Sequence, residues 1–357
     1  MSVVRCFTSF SFSYLTRAIL LARTLRAAHP DWELWATLVD RPPPGLDVAS
    51  ALAEFDRHLF AEELGIDAWE SWIFKHDIVE ACTAVKGQML SHLLDQPGTD
   101  SVVYFDPDIA VFHRMDSLLA QLDTKSILLT PHQVDANLGE GAVRDNEITS
   151  LKYGIYNLGF CAVHNDEIGR SFAHWWARQL YFACYDEVEN GIFTDQKWCD
   201  LVPGLFDRVG IVRDPGCNVA SWNLSRRRIT FTTDGTALVN GSPLKFYHYT
   251  KINAAGDQMT EKYAGDNIEV LEVWNWYKRA LKRIHIDGIP SGYWRYGSFD
   301  DGSKIPKAVR VLYRQRPDLR AAFPRPFAVG DNSYRQWLSS EEPALLNDTA
   351  RRGFEAI

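Results

Sequence analysis

Two aspartates, Asp106 and Asp108, flank a proline in the stretch YFDPDIAVF, at the point where an apolar run ends. The proline fixes the local backbone, so that the two carboxylates project in a defined relation to each other. Hard cations such as Mg²⁺ and Mn²⁺ take oxygen ligands, typically one or two carboxylates together with the phosphates of a substrate. The pair is therefore suited to hold a cation that clamps a diphosphate. A solvated turn is the alternative, because typical charged content supplies about one chance Asp-x-Asp in a chain of this length.

Further polar residues are candidates for the same site. Asp195 and Gln196 precede a predicted amphipathic helix in FTDQKWCDLVPGLF (193–206), either as a helix cap or as groups that bind hydroxyls. Asn157 starts a strand in YNLGF, as a turn residue or as a polar contact. His248 ends a late strand in KFYHYTK, where a histidine is more often structural than a ligand. Residue type alone leaves both interpretations open in each case.

These residues follow the elements of a predicted α/β sheet. Strands are predicted at residues 3–10, 33–40, 101–106 and 126–132. Helical stretches between them, including a long one at about 75–95, give a βαβα alternation, which implies a mostly parallel sheet covered on both faces. In such sheets ligands bind outside the carboxyl ends of the strands. Asp106 and Asp108 lie there, and so do Thr8, Ser9 and Ser11.

The second half of the chain is less regular and ends in helices. From about residue 257 the apolar pattern is helical, most strongly over 267–284. We therefore expect a main domain over residues 1–255 and a C-terminal helical extension over 256–357. Trp274, Trp276 and Tyr277 in this extension are expected to pack in the core, to form an acceptor site or to contact a membrane surface.

Composition excludes several classes of protein. The chain has 357 residues, of which 46% are hydrophobic and 24% charged, with a formal net charge of −8. Its longest basic run is Arg226-Arg227-Arg228, which excludes an extended nucleic-acid surface, since such a surface needs clustered cations. Six cysteines without a CxxC pair indicate reduced thiols and give no case for a zinc site. We find no signal peptide and no membrane span. A cytoplasmic protein is expected, with peripheral contact at the inner face of the membrane left open.

Together these stretches resemble retaining glycosyltransferases of family 8. The resemblance rests on FTSFSFSYLTRAILLARTL, TAVKGQMLSHLL, YFDPDIAVF, YNLGF and TDQKWCDLVPGLF, which follow in the family's order over about residues 3–252. It implies the GT-A fold, a Rossmann-like α/β fold with a mostly parallel central sheet flanked by helices. It also implies a nucleotide-sugar donor and Mn²⁺ (or Mg²⁺) as cofactor.

The resemblance also implies roles for individual residues. Asp106 and Asp108 would bind the metal, with His248 as the third protein ligand, and Asp106 would also reach the ribose. The predicted catalytic residues are Gln196, near the anomeric carbon as nucleophile or cation stabiliser, and Asp195, which would bind sugar hydroxyls. The predicted substrate-binding residues are Thr8, Ser9 and Tyr14 for the nucleotide, Lys86 for the donor's phosphates or sugar, and Asn157 for sugar hydroxyls.

The chain departs from the family pattern after His248. Family 8 proteins usually carry HxxGxxKPW, whereas this chain reads HYTKINAAGD, with Lys251 at the third position after the histidine and no Lys-Pro-Trp. Lys251 is then expected to supply the phosphate-binding charge. A divergent relative of the family is predicted.

The predicted function is metal-dependent transfer of a sugar from a nucleotide-diphosphate sugar to an acceptor hydroxyl in glycan or polysaccharide synthesis. A UDP-sugar is the expected donor, retention is implied by the resemblance, and a glycan, lipid-linked or protein acceptor is left open. One alternative is a metal-dependent phosphohydrolase or nucleotidyltransferase, which would normally need more carboxylates or a better phosphate loop than GEGAVR (139–144). The other is a non-catalytic sugar-binding protein on the same fold.

Overall fold

A computed structural model describes residues 3–346, so that residues 347–357 of the predicted extension lie outside the described range. The strands are β1 (Val3–Phe10), β2 (Glu33–Leu38), β3 (Arg57–Phe60), β4 (Thr99–Phe105), β5 (Ile109–Val111), β6 (Ile127–Pro131), β7 (Tyr156–His164), β8 (Asp186–Glu187), β9 (Ile192–Phe193), β10 (Val209–Ile211), β11 (Ile229–Phe231), β12 (Ala237–Val239), β13 (Ser242–Pro243) and β14 (Phe246–His248).

Helices surround these strands. They are α1 (Leu15–Ala28), α2 (Val48–Ala51), α3 (Trp69–Phe74), α4 (Ile78–Ala84), α5 (Lys86–Leu94), α6 (Asp116–Leu119), α7 (Glu140–Ala142), α8 (Thr149–Tyr153), α9 (Glu167–Phe182), α10 (Gln196–Cys199), α11 (Val202–Leu205), α12 (Ala254–Ala264), α13 (Ile268–Lys282), α14 (Lys307–Gln315), α15 (Pro317–Ala322), α16 (Tyr334–Glu341) and α17 (Pro343–Leu346).

The central sheet has seven strands in the order β10-β6-β7-β4-β1-β2-β3. β1 pairs in parallel with β2 and β4, β2 with β3, and β6 with β10, whereas β7 runs antiparallel to β4 and β6. The amino end of β7 therefore lies at the same edge of the sheet as the carboxyl ends of β1 and β4. The predicted α/β architecture, with a mostly parallel central sheet flanked by helices, is confirmed.

The core lies on both faces of this sheet, and β4 shows how the sequence builds it. All but one of its residues are buried, as expected for a central strand, and alternate residues point to opposite faces. Val103 and Phe105 pack into the cluster under α1 and α13. Val102 and Tyr104 pack into the cluster under α5, α9 and α14. β4 is thus fixed from both sides, and so is the loop that follows it.

Helices α4 and α5 replace the single long helix that the sequence predicts over 75–95. Val85 interrupts the helical run, so that α5 begins at Lys86. Gly87 lets α5 approach α9 closely, because a Cβ added there would lie 2.4 Å from the backbone nitrogen of Ala177. This close packing holds Lys86 against the carboxyl edge of the sheet, where it contacts Asp106.

The C-terminal helices pack on both faces of the main domain. On one face Trp274 and Tyr277 of α13 are buried, and Tyr277 stacks on Tyr249 with ring centroids 3.8 Å apart. On the other face Tyr313 of α14 packs against Phe74 of α3, with ring centroids 5.0 Å apart. Two of the three aromatic residues singled out in the extension are therefore core residues. The division of the chain at residue 255 stays a prediction.

The helices also bear on membrane association. Across residues 3–346, none combines the length and the apolar character that crossing a bilayer requires. The cytoplasmic location and the peripheral membrane contact stay predictions.

Candidate functional site

The acidic pair occupies a tight turn between β4 and β5. The backbone N–H of Asp106 donates to Gly159 O at 2.9 Å, and the N–H of Ile109 donates back to Asp106 O at 3.1 Å. The side chain of Asp106 is 24% exposed and that of Asp108 is 7% exposed. A mostly buried carboxylate pair held by backbone hydrogen bonds is not the solvated turn that the sequence left as an alternative.

His248 completes a group of three potential metal ligands. β14 pairs antiparallel with β5, which places His248 opposite Ile109. Its Nε2 lies 3.1 Å from Asp108 Oδ1 and 3.8 Å from Asp106 Oδ2. One ligand atom from each residue falls within 4.8 Å of the other two. The structure therefore brings the three predicted ligands together.

The charge of His248 reflects these neighbours. Burial by itself would lower the pKa of His248, but the carboxylates of Asp108 and Asp106 outweigh it and leave the pKa raised. The pKa of Asp108 is lowered, since His248 outweighs the effect of its burial. Two carboxylate oxygens and one imidazole nitrogen form a donor set that suits a divalent cation such as Mn²⁺ or Mg²⁺. The residues present therefore fit the predicted metal.

Lys86 lies beside the acidic pair and is 1% exposed. Its Nζ is 2.8 Å from Asp195 Oδ2 and 3.0 Å from Asp106 Oδ1, and it donates to Leu158 O at 3.0 Å. Burial disfavours the ammonium, but Asp106 and Asp195 reverse the effect and raise the pKa of Lys86 well above its usual value. Tyr104 lies beneath the ammonium and donates its hydroxyl to Asp106 Oδ1 at 2.5 Å. Lys86 is therefore a fixed, buried cation.

Asp195 and Gln196 lie where β9 leads into α10. The Asp195 carboxylate makes no capping hydrogen bond to the helix and contacts Lys86 instead, so the helix-cap interpretation is wrong. Burial raises the pKa of Asp195, and Lys86 opposes this shift. Gln196 is half-buried and donates its amide to Tyr153 O at 3.0 Å. The catalytic roles of both residues stay predictions.

The predicted nucleotide-binding residues lie on β1 and the turn after it. Thr8 and Ser9 are buried, and Ser9 donates its hydroxyl to Cys82 O at 2.7 Å. Thr8 Oγ1 is buried without a hydrogen-bond partner among residues 3–346. Tyr14 is half-buried, and burial is the main cause that raises its pKa to about 12. Of the three, Tyr14 is the one that is partly exposed.

Lys251, the predicted phosphate-binding residue after His248, is exposed and adopts a left-handed backbone conformation with φ of 54°. A different cation, Arg17 of α1, lies beside the acidic pair, with NH1 4.0 Å from Asp108 Oδ2. Its guanidinium covers the ring of Tyr14 at 4.4 Å. Arg17 was not predicted from the sequence, where the available signal was its position one helical turn after Tyr14.

Asn157, the first polar residue of β7, also lies at this edge and is 7% exposed. Its Oδ1 is 3.1 Å from His248 Nδ1, and its Nδ2 is 3.4 Å from His132 Nε2. Trp222 packs edge-on against both imidazoles, with ring centroids 5.3 Å from each. The sequence analysis did not identify His132 or Trp222.

The chain is similar in sequence to two uncharacterized proteins. The chain matches no protein-family model. It is 26% identical to the uncharacterized protein YfnF of Bacillus subtilis (strain 168) over 229 residues, 63% of this chain and 75% of YfnF. It is also 26% identical to the uncharacterized protein YfnD of the same strain over 180 residues, 48% of this chain and 53% of YfnD.

Three solved structures are among those to which the chain is similar. The galactosyltransferase LgtC, in complex with donor and acceptor sugar analogues, is 15% identical with a TM-score of 0.44, covering 81% of this chain and 98% of LgtC. The glycosyltransferase GlyE of Streptococcus pneumoniae TIGR4 is 14% identical with a TM-score of 0.43, covering 79% of this chain and 64% of GlyE. Mouse xyloside xylosyltransferase 1 is 12% identical with a TM-score of 0.40, covering 72% of this chain and 99% of the mouse chain. All three are glycosyltransferases.

Proposed function

We propose that the protein is a metal-dependent glycosyltransferase that moves a sugar, with retention, from a UDP-sugar to an acceptor hydroxyl in glycan or polysaccharide synthesis. The observation that supports this function most is the convergence of Asp106, Asp108 and His248 at the sheet edge where α/β proteins bind ligands. The carboxylates and the imidazole would hold the cation. When bound, the cation would supply Lewis-acid stabilisation of the charge on the leaving diphosphate.

The charges around this group favour a diphosphate as the ligand. The site contains three carboxylates, those of Asp106, Asp108 and Asp195, and two basic side chains, Lys86 and Arg17. With all five ionised, the net charge of the site is −1. A divalent cation converts the balance to one positive charge. A site with that charge attracts an anion that bridges the cation and the basic side chains, as a nucleoside diphosphate does.

The side chains have separate tasks in this proposal. Arg17 would donate to the diphosphate from the rim, since its guanidinium is 14% exposed and lies next to Asp108. Lys86 would hold Asp195 in place, so that the carboxylate can accept from a hydroxyl of the donor sugar. Gln196 would place its amide oxygen near the anomeric carbon, where positive charge develops in the transition state. Retention follows from the resemblance to family 8.

The alternatives predict different chemistry from the same residues. A phosphohydrolase or nucleotidyltransferase would direct a nucleophile at phosphorus. A second group of metal-ligating side chains would support that alternative. Among residues 3–346 the only group of three or more metal-ligating side chains is Asp106, Asp108 and His248. A sugar-binding protein would not need the buried charge pair of Lys86 and Asp195. We therefore retain sugar transfer as the proposal.

Product analysis tests it. Purified protein is incubated with Mn²⁺ and a panel of UDP- and GDP-sugars, and the nucleotide and sugar products are separated by chromatography. We expect Mn²⁺-dependent release of a nucleoside diphosphate together with free or transferred sugar. Asp108→Ala should abolish this release, whereas Asp123→Ala, a change at an exposed aspartate, should not. Release of a nucleoside monophosphate would instead indicate a nucleotide-cleaving enzyme, and donor binding without turnover would indicate a sugar-binding protein.

A further inference from the structure

Asn157 links the candidate metal ligand His248 to a second histidine. Its Oδ1 lies 3.1 Å from His248 Nδ1 and also accepts from the backbone N–H of Gly159 at 3.3 Å. The bond from Gly159 identifies that side-chain atom as the oxygen, because a backbone N–H needs an acceptor. His248 Nδ1 must then carry the proton and donate it to Asn157. Nε2 is left to face Asp106 and Asp108, 3.1 Å from Asp108 Oδ1, where a bound cation would take the place of the proton that this contact holds in the metal-free protein.

The other side of Asn157 is fixed by His132. The amide nitrogen of Asn157 lies 3.4 Å from His132 Nε2, and His132 Nδ1 lies 3.3 Å from Ile155 O. A carbonyl oxygen only accepts, so Nδ1 of His132 donates to Ile155 and Nε2 accepts from Asn157. Burial is the main cause that lowers the pKa of His132 to about 4, which keeps the ring neutral and able to accept. The donor and the acceptor of each hydrogen bond from His248 through Asn157 and His132 to Ile155 are therefore defined.

Packing fixes the same arrangement. Gly159 lies under the imidazole of His248, and a Cβ added there would lie 2.6 Å from both Cε1 and Nδ1 of that ring. The same Cβ would lie 2.8 Å from Asn157 Oδ1. Trp222 packs edge-on against both imidazoles. His248 is consequently held in position and in hydrogen-bonding direction by separate contacts.

We propose that Asn157 and His132 are positioning residues that hold His248 in the tautomer protonated on Nδ1, so that Nε2 is presented to a divalent cation beside Asp106 and Asp108. The inference rests on the metal site of the proposed function. A residue that hydrogen-bonds to a ligating histidine fixes the tautomer and orientation of the ring, and losing it typically weakens metal affinity by about 10- to 100-fold. Asn157 keeps one amide N–H in this arrangement, which is compatible with its predicted contact to a sugar hydroxyl.

Calorimetric titration with Mn²⁺ alone tests the proposal without any donor. Asn157→Leu removes the hydrogen bonds to both histidines and should weaken Mn²⁺ binding by about 10- to 100-fold. His132→Phe removes only the outer bond and should have a smaller effect in the same direction. Asn157→Asp keeps the acceptor for His248 and should retain most of the affinity. His164→Phe, at the opposite end of β7, is the matched control and should bind as the wild type does.

A spectroscopic readout separates positioning from general damage. Two-bond ¹H–¹⁵N correlation spectra of the metal-free protein at alkaline pH report which imidazole nitrogen of His248 is protonated. We expect Nδ1–H in the wild type and a mixture of tautomers in Asn157→Leu, with circular dichroism confirming that the variant folds. If the wild type binds Mn²⁺ and a folded Asn157→Leu binds it equally, or keeps the same tautomer, this inference is overturned. If the wild type binds no Mn²⁺, the metal site of the proposed function fails and the inference fails with it.

Discussion

Replacing Lys86 by methionine should destabilise the protein far more than an ordinary lysine substitution would. Met keeps most of the length of the side chain but removes the ammonium, which lies 2.8 Å from Asp195 and 3.0 Å from Asp106. Asp195 is only 3% exposed, so the change leaves a buried carboxylate without its cation. Removing one partner of a buried ion pair typically costs about 3–5 kcal/mol of unfolding free energy. We expect a loss in that range for Lys86→Met.

The size of this effect is checked by urea denaturation followed by circular dichroism. Lys197→Met is the matched control, because Lys197 pairs with Asp200 at 3.0 Å on a more exposed surface, and such pairs contribute about 0–1 kcal/mol. Asp195→Asn introduced into Lys86→Met neutralises the stranded carboxylate and should recover about 1–3 kcal/mol. The reasoning is refuted if Lys86→Met costs no more than Lys197→Met, or if Asp195→Asn adds its own cost without any recovery.

Two further predictions concern other charged groups. Arg17→Gln should weaken Mn²⁺-dependent UDP binding about tenfold or more, since a charge-assisted hydrogen bond contributes about 1.5–3 kcal/mol, while Mn²⁺ affinity alone stays the same or rises. Calorimetry on both ligands checks this, and parallel loss of both affinities would contradict it. Burial raises the pKa of Asp40 to about 7, so its stabilising contribution is present in acid and is lost as pH rises through that value. Between about pH 5 and pH 8, the unfolding free energy of the wild type, measured by urea denaturation, should therefore fall by about 2 kcal/mol more than that of Asp40→Asn. Parallel pH profiles of the two proteins would show that Asp40 does not make this pH-dependent contribution to stability.

The sequence predicted the part of the site that depends on local pattern. β4 is a short run of buried, β-branched and aromatic residues, so both its central place in the sheet and the position of Asp106 at its carboxyl end follow from periodicity. The break at Val85 and the close approach of α5 to α9 at Gly87 did not follow from periodicity. Close packing between two helices that are distant in the chain leaves little signal in the sequence of either helix.

The same limit explains the residues that were missed. His132 ends a strand that was predicted (126–132), but its contact with Asn157 depends on the antiparallel direction of β7, which local pattern does not specify. Lys251 was expected to supply the phosphate-binding charge from its distance to His248 along the chain. That role of Lys251 stays a prediction, and the structure adds Arg17, which lies beside Asp108 because the start of α1 and the β4–β5 turn meet at one edge of the sheet.

The antiparallel strands are what make the candidate site possible. Parallel strands bring only their carboxyl ends to this edge, where β4 delivers Asp106, whereas β7 delivers Asn157 from its amino end because it runs in the opposite direction. β14 runs antiparallel to β5 and so returns His248 to the turn that carries Asp108. Asn157 and His248 therefore reach the acidic turn through two different antiparallel strand pairings.

The C-terminal helices take part in this arrangement through β14. Tyr249, next to His248, stacks between Tyr247 and Tyr277, and Trp274 contacts it as well. All four rings are buried, so α13 covers the face of β14 opposite the imidazole. Deleting the helices after residue 255 would remove Trp274 and Tyr277, expose Tyr247 and Tyr249 and release the strand that holds His248. Loss of activity on such a truncation would therefore report the missing support of a candidate metal ligand. An acceptor site in the extension has to be tested at a partly exposed residue such as Trp276.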